Sequence, residues 1–322
     1  MGGLSALILI LAVVGLLLGK ASLTLEEILA VLIGQGTPMS GFVIGELRMP
    51  RILTALVVGA CLGVSGSVFQ TTLRNPLASP DIIGTTAGAS AIGVVSIVIF
   101  GISGFPLALT VIAGALVIAT AMYLLAWRGG MSAYRLVLVG IGVAAICSGI
   151  VAFVLSRSDI NDAQAALVWV TGSLNNSSWS ALLPVTCCAV VILFALATLT
   201  RSIHTLEFGD DTAAGLGVPV ERTRLAAIAT AAALAAVGVS TAGPLAFVAL
   251  AAGQVARRLL GTGIPGTAVS GFVGAALLLA ADLLAQFAWP ATAFPTGVVT
   301  GLVGAPFLIW LLIRSNRTGS GG

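Results

Sequence analysis

Apolar blocks long enough to cross a membrane as helices recur along this chain, separated only by short polar breaks. They fall at about 4–19, 52–70, 84–104, 105–127, 136–156, 180–200, 225–242, 244–260, 267–288 and 297–313. A hydrocarbon core takes roughly 17–20 apolar residues to span as a helix, so each block is a candidate span. The chain is predicted to be an all-α polytopic membrane protein of one domain, residues 1–322, with about ten transmembrane helices. A β-barrel would show alternating segments of about ten residues, and these blocks are continuous. The stretch 225–260 is long enough for one helix, but Gly243-Pro244 interrupts it and predicts two.

Composition supports this class. Hydrophobic residues make up 58% of the chain and charged ones 8%, against roughly 25% charged in soluble domains. Forty glycines suit helices packed closely through small residues. A net charge of +3 is too small to indicate a nucleic-acid partner. Cys61, Cys147, Cys187 and Cys188 lie in apolar blocks without metal-ligand spacing and read as small buried hydrophobes. The first twenty residues lack the basic start of a signal peptide and read as a first spanning helix.

The polar segments carry the orientation. With the N-terminus inside, one side holds ten arginines: 74, 128, 135, 201, 222, 224, 257, 258, 314 and 317. The other holds Lys20, Arg48, Arg51 and Arg157. Positive charge collects on cytoplasmic segments, so both termini are expected in the cytoplasm, with residues 314–322 as a flexible tail.

The most polar break, Arg201–Arg224, is then cytoplasmic. It contains Glu207, Asp210, Asp211, Glu221, three arginines and the only histidine, His204. Inside it, Gly209-Asp210 and the residues after it read as one short capped helix. Asp210 or Asp211 can accept from the free N–H groups of the first turn, Gly217 can supply a left-handed end, and Pro219 stops continuation. Such an element is a handle that another protein could push; a solvated connector would have the same composition.

Two segments on the other side are amphipathic. In Leu23–Ile33, Leu25, Ile28 and Leu29 share a face; in Asp159–Trp179, Ile160, Ala163, Leu167, Val170 and Leu174 do, with Trp169 and Trp179 as interfacial anchors. Arg51–Gly66 and Arg224–Ser240 each start at an arginine and enter a small-residue helix. These would run in opposite directions, as in the inverted repeats of transporters.

Three motifs lead elsewhere. Gly63-Val64-Ser65-Gly66 matches the GxSG of intramembrane serine proteases, but a serine nucleophile needs a neighbouring base, and His204 lies in a polar loop; a packing seam is favoured. The run from Gly15 to Ala21 falls one residue short of a phosphate-binding loop and has Ala21 where a hydroxyl should bind magnesium. The chain therefore has no ATPase site of its own, no catalytic group and no metal cluster. Asp282 is the one carboxylate well inside a predicted span and pairs with Arg48 or Arg51, or serves function directly.

Further patterns occur in a fixed order: Arg48-Met-Pro-Arg51; Gly59-Ala60, Ser65-Gly66, Gln70 and Arg74-Asn75-Pro76-Leu77-Ala78-Ser79-Pro80-Asp81; Trp169-Val-Thr-Gly172-Ser173-Leu174; Gly209-Asp210-Asp211-Thr212-Ala213 with Leu216-Gly217-Val218; Ala281-Asp282; Pro295-Thr-Gly297-Val-Val-Thr300; and Gly304-Ala305-Pro306-Phe307. In this order the chain, from Glu46 onward, resembles the FecCD/BtuC-type permeases of bacterial ABC importers for iron–siderophore complexes and vitamin B12.

The resemblance implies a type II importer permease in the bacterial inner (plasma) membrane. It pairs with the same or a sister permease, rests on two ATP-binding subunits that hold ATP and magnesium, and receives a ferric siderophore from an extracytoplasmic binding protein. Glu207, Gly209, Asp210, Asp211, Leu216 and Gly217 then form the ATPase-coupling element. Arg48 and Arg51 dock the binding protein. Small residues on two helices, Gly142, Ser148, Thr300 and Gly304, line the pathway. A B12 or haem permease of the same family is the near alternative, and a stand-alone secondary transporter, with only Asp282 to couple ions, the more distant one. Two positions depart from the family pattern: Gln286 stands where arginine often occurs, and Gly253-Gln254 where many members have Pro-His. Asp81 is available to cap the helix that follows it.

Overall fold

In a computed structural model the described residues are 1–19, 21, 23–128, 132–261, 266–288 and 294–318. Lys20, on which the near-miss phosphate loop depends, and residues 319–322 of the tail lie outside them, as do the side chains of Arg314 and Arg317. The described residues fold into helices and connectors, with no strand among them.

In chain order these are α1 (Gly2–Leu17), α2 (Leu25–Leu32), α3 (Pro38–Phe42), α4 (Met49–Thr72), α5 (Pro80–Ile83), α6 (Thr85–Val98), α7 (Gly104–Ala126) and α8 (Ala133–Arg157). Then follow α9 (Ile160–Thr171), α10 (Trp179–Thr205), α11 (Asp210–Gly215), α12 (Val220–Ala242), α13 (Val248–Leu260), α14 (Thr267–Phe287) and α15 (Thr296–Thr318). A π-helical turn, Val43–Arg48, feeds α4. Pro50 has no N–H to donate back to Glu46, and the wider turn accommodates the break in the hydrogen-bond ladder.

Helix α4 is the axis of the bundle. Every residue from Cys61 to Thr72 is buried, because α10, α12, α13 and α14 all pack on it. The approach is close where glycines align. A methyl group on Gly59 would lie 2.5 Å from the Gly274 carbonyl oxygen, one on Gly63 2.2 Å from that of Ser270, and one on Gly66 1.9 Å from that of Ala249. Only hydrogen fits at these points, so the small-residue stripe sets the interhelical distance.

Among the described residues, six segments are long and apolar enough to cross a membrane: Pro38–Thr72, Gly104–Ala126, Tyr134–Arg157, Trp179–Phe208, Val220–Ala242 and Thr267–Phe287. Gly2–Leu17, Thr85–Val98 and Thr296–Trp310 are shorter apolar helices. The predicted break at Gly243-Pro244 is present: α12 ends at Ala242 with Gly243 at φ 70° as its cap, and α13 starts after five non-helical residues, 243–247. At thirteen residues, α13 is about 20 Å long, shorter than a bilayer core.

The two amphipathic segments are shorter than predicted and partly turned inward. Thr24 and Glu27 form a capping box at the start of α2. Of its three expected apolar contacts only Ile28 is buried, while Leu25 and Leu29 are exposed. Helix α9 stops at Thr171, because Gly172 adopts φ 73°. The ring of Trp169 fills the space over Gly93 of α6, and the Trp179 indole donates to the Gly45 carbonyl at 2.8 Å. Both tryptophans, read from sequence as interfacial anchors, are thus tied into the bundle. Cys61 and Cys147 are buried and Cys188 half-buried, but Cys187 is exposed on α10. An apolar thiol is at no disadvantage on such a surface, whether lipid or protein covers it.

Candidate functional site

Two polar clusters flank α4, one at Arg51 and one at Arg74, about 35 Å apart along the helix.

At the Arg74 end, the handle is built from a 3-10 turn, Leu206–Phe208, and α11. Leu206 and Ala213 are fully buried and hold it to the bundle. Gly209, with φ 105°, makes the corner between them. At the far end Gly217 has φ 82°. Its N–H donates to the Ala214 carbonyl, and that of Val218 to the Ala213 carbonyl, the double bond of a Schellman ending. The left-handed glycine is where the sequence predicts it, and Pro219 precedes the first residue of α12.

The cap at the start of α11 differs from expectation. Gly209 is the N-cap residue and no side chain caps the helix. Asp210 instead turns away: its Oδ1 accepts from Arg74 Nη2 and from Arg224 Nη2, the latter at 2.8 Å. The Arg224 side chain is only 5% exposed, and its Nη1 lies 3.5 Å from Glu221 Oε1. Glu221 Oε2 in turn accepts from the Tyr123 hydroxyl of α7 at 3.1 Å. A buried cation needs a paired anion, which explains why Asp210 is drawn inward. Asp211 remains exposed and Glu207 is half-buried. The exposed apolar groups of the handle are Leu216, 68% exposed, and Phe208, 67% exposed. Phe208 escaped the sequence reading because a single phenylalanine inside a polar break carries no signal of whether it is packed or exposed.

At the Arg51 end, Asp282 accepts from Arg51 Nε and Nη2 at 2.8 Å each, from Gln286 Nε2 at 2.7 Å and from the Thr296 hydroxyl at 2.7 Å. Its side chain is 2% exposed. The expected pairing with an arginine is therefore made by Arg51. Arg48 donates to the carbonyls of Leu16 and Ala21, satisfying the C-terminal end of α1. Both arginines remain part exposed and line a cavity of about 290 Å³ with Gly19, Leu47, Asp282 and Gln286.

The four small residues assigned to a pathway occupy two surfaces. Gly142 and Ser148 are both exposed on α8. Thr300 and Gly304 are buried toward α13 and line an apolar cavity of about 170 Å³ with Phe247 and Phe307. A methyl on Gly304 would meet Phe247 Cγ at 2.2 Å. Phe247 itself holds the left-handed φ of 68°. Thr86 and the backbone of Phe247 lie beside the Asp81 carboxyl, so Asp81 sits near the start of α13, and Ser79 caps its own helix α5. Asp81 Oδ2 is buried without a hydrogen-bond partner. Gln254 donates to the Pro76 carbonyl, so α13 is tied to the loop after α4.

Ser65 of the GxSG match is fully buried, and its hydroxyl donates to the Ala231 carbonyl at 2.7 Å. It is a packing and hydrogen-bonding residue between α4 and α12. Among the described residues no three His, Cys, Asp or Glu side chains come together as a metal site would require.

The model of the FecCD transport family matches residues 7–314. The chain is 41% identical over 303 residues to the ferric enterobactin transport system permease protein FepG of Escherichia coli (strain K12), covering 94% of this chain and 92% of that one. It is 36% identical over 322 residues to the iron(3+)-hydroxamate import system permease protein FhuG of Bacillus subtilis (strain 168), covering 96% and 95%. Among solved structures, an inward-facing transporter assigned to the metal-chelate ABC type superposes with a TM-score of 0.85 at 29% identity, covering 97% of this chain and 98% of that one.

Proposed function

We propose a function from one premise, that this chain belongs to the FecCD transport family: it is the membrane permease subunit of an ATP-driven importer for a ferric siderophore. The observation that carries the proposal is the match along nearly the whole chain to permeases named for iron-chelate transport. The handle supports it, being a rigid short helix with two exposed apolar side chains, Phe208 and Leu216, beside the exposed Asp211. Such a surface suits a cleft on a partner that supplies the ATPase.

In this reading the arginine-rich side is cytoplasmic, both termini lie there, and about ten helices, the shorter ones included, make up the membrane domain. Two permease chains, alike or sister, enclose the pathway. Two ATP-binding subunits, which carry the ATP and magnesium, engage the handles through Glu207, Gly209, Asp211, Leu216 and Gly217. Closure of the ATPase pair shifts each handle as a rigid body and switches the open side of the pathway. A binding protein docks at the Arg48–Arg51 end. Gly142, Ser148, Thr300 and Gly304 belong to the helices that border the route.

Reconstitution in liposomes with the ATPase subunits and binding protein that co-purify with this chain tests the proposal. Uptake of radiolabelled iron as its siderophore complex should require ATP inside and stop when Phe208→Arg/Leu216→Arg releases the ATPase. Uptake driven by an ion gradient without nucleotide would replace this reading with a secondary transporter.

A further inference from the structure

The ion network behind the handle has no place in a simple docking surface. Asp210 sits on α11, yet its carboxylate is spent on two arginines from two bundle helices. Arg74 follows the end of α4, and Arg224 lies in the second turn of α12. Glu221 extends the network to Tyr123 on α7. Two long helices, α4 and α12, therefore converge on Asp210 of the handle, and α7 joins the network behind them through Glu221 of α12.

The backbone at Arg74 shows that this side chain is wanted there. Arg74 has φ 48°. Its N–H donates to the Thr71 carbonyl, and that of Asn75 to the Gln70 carbonyl, so α4 ends in the same double-bonded motif as α11. The left-handed position of that motif is commonly glycine, because a Cβ is disfavoured there. At Gly217 the chain uses glycine. At Arg74 it places a large cation in a strained conformation, and strain of this kind persists where the side chain serves a purpose.

We infer that Asp210 is a positioning residue for transport: a strut that ties the handle to α4 through Arg74 and to α12 through Arg224, rather than a contact for the ATPase. This rests on the permease reading above and refines it. Displacing the handle then displaces the ends of α4 and α12 together. Since α4 is the axis on which α10, α13 and α14 pack, the whole bundle receives the movement. Without the strut, the handle would still meet its partner through Phe208, Leu216 and Asp211, but its motion would be absorbed in the connectors.

The test uses the complete transporter in liposomes. Asp210→Asn is isosteric and removes the charge that joins both arginines. Arg74→Gln removes only the half-exposed leg to α4, leaving the buried Arg224 paired, and serves if the first variant is unstable. Both should co-purify with the ATPase subunits as wild type does, while iron transported per ATP hydrolysed falls about fivefold or more, the scale of a typical coupling between sites. Asp210→Glu should restore most of that ratio. Wild-type stoichiometry in Arg74→Gln and Asp210→Asn would overturn the strut. So would loss of the ATPase from Asp210→Asn, which would make Asp210 a docking contact and leave the handle's role standing. If Phe208→Arg/Leu216→Arg keeps the ATPase bound, the docking reading fails instead, and the two failures are separable.

Discussion

Asp282 receives four hydrogen bonds from Arg51, Gln286 and Thr296, which fills the acceptor capacity of a carboxylate. No lone pair is left for a transported cation, so the group acts as a clamp joining α4, α14 and α15. Removing one partner of a buried pair leaves the other uncompensated, at a cost of about 3–5 kcal/mol. Arg51→Leu should therefore lower the unfolding temperature of the detergent-purified protein markedly. The double variant Arg51→Leu/Asp282→Leu should recover most of the loss, since apolar replacement removes the stranded charge. A double variant no more stable than the single one would contradict this account. The pairing was legible in sequence because a carboxylate inside a span needs a cation at matching depth. The part played by Gln286 was not: it stands where the family pattern often has arginine, and its bond to Asp282 depends on where α14 turns its face. Asp210 shows the same limit. Its position at the start of a short helix predicted a cap, but two arginines distant in sequence, at 74 and 224, outcompete the local N–H groups.

Helices were easier to read than their neighbours. Block length located the long helices, the need for a left-handed residue placed Gly217, and the Gly243-Pro244 interruption placed the break after α12. Arg74 defeats the same rule, because it occupies a position where the rule expects glycine. The GxSG stretch of α4 was legible as a seam, and the structure supplies its reason. Gly66 lies against the backbone of Ala249, where a methyl would come within 1.9 Å of the carbonyl oxygen. Backbone cannot yield there as a flexible side chain would, so Gly66→Val should prevent α13 from seating and reduce the amount of folded protein in the membrane severely. Ser65→Ala next to it removes one hydrogen bond to the Ala231 carbonyl and should cost only about 1 kcal/mol, leaving transport intact. Membrane abundance and iron uptake measured side by side distinguish the two. Loss of transport in a well-folded Ser65→Ala protein would reopen a chemical role for that hydroxyl.

Across the whole molecule the helices differ sharply in how much of them the single chain covers. The window containing α4 is 78% buried, that of α8 17% and that of α10 22%. Two long helices thus present most of their surface to something outside this chain, lipid or a second permease. Sequence could not separate these helices from the core, because apolar side chains serve both against lipid and against protein. The exposed positions of α8 include Gly142, Ser148 and Gly149 beside Leu138, Ile141, Ile146 and Phe153. A hydroxyl and two glycines gain nothing from hydrocarbon, but they leave room for a bulky polar cargo between two chains. Gly304, assigned the same role from sequence, is seated against Phe247, so a large residue there would disturb the α13–α15 contact and confound any transport measurement. Ser148 offers the cleaner test. Ser148→Trp has open space in the isolated chain and should leave folding and ATPase association unchanged. In the assembled pair it should narrow the route and reduce siderophore uptake at least tenfold, about 1.4 kcal/mol in the effective barrier, while Ser148→Ala transports normally. Equal uptake by the tryptophan variant would place α8 against lipid and move the pathway to another face of the bundle.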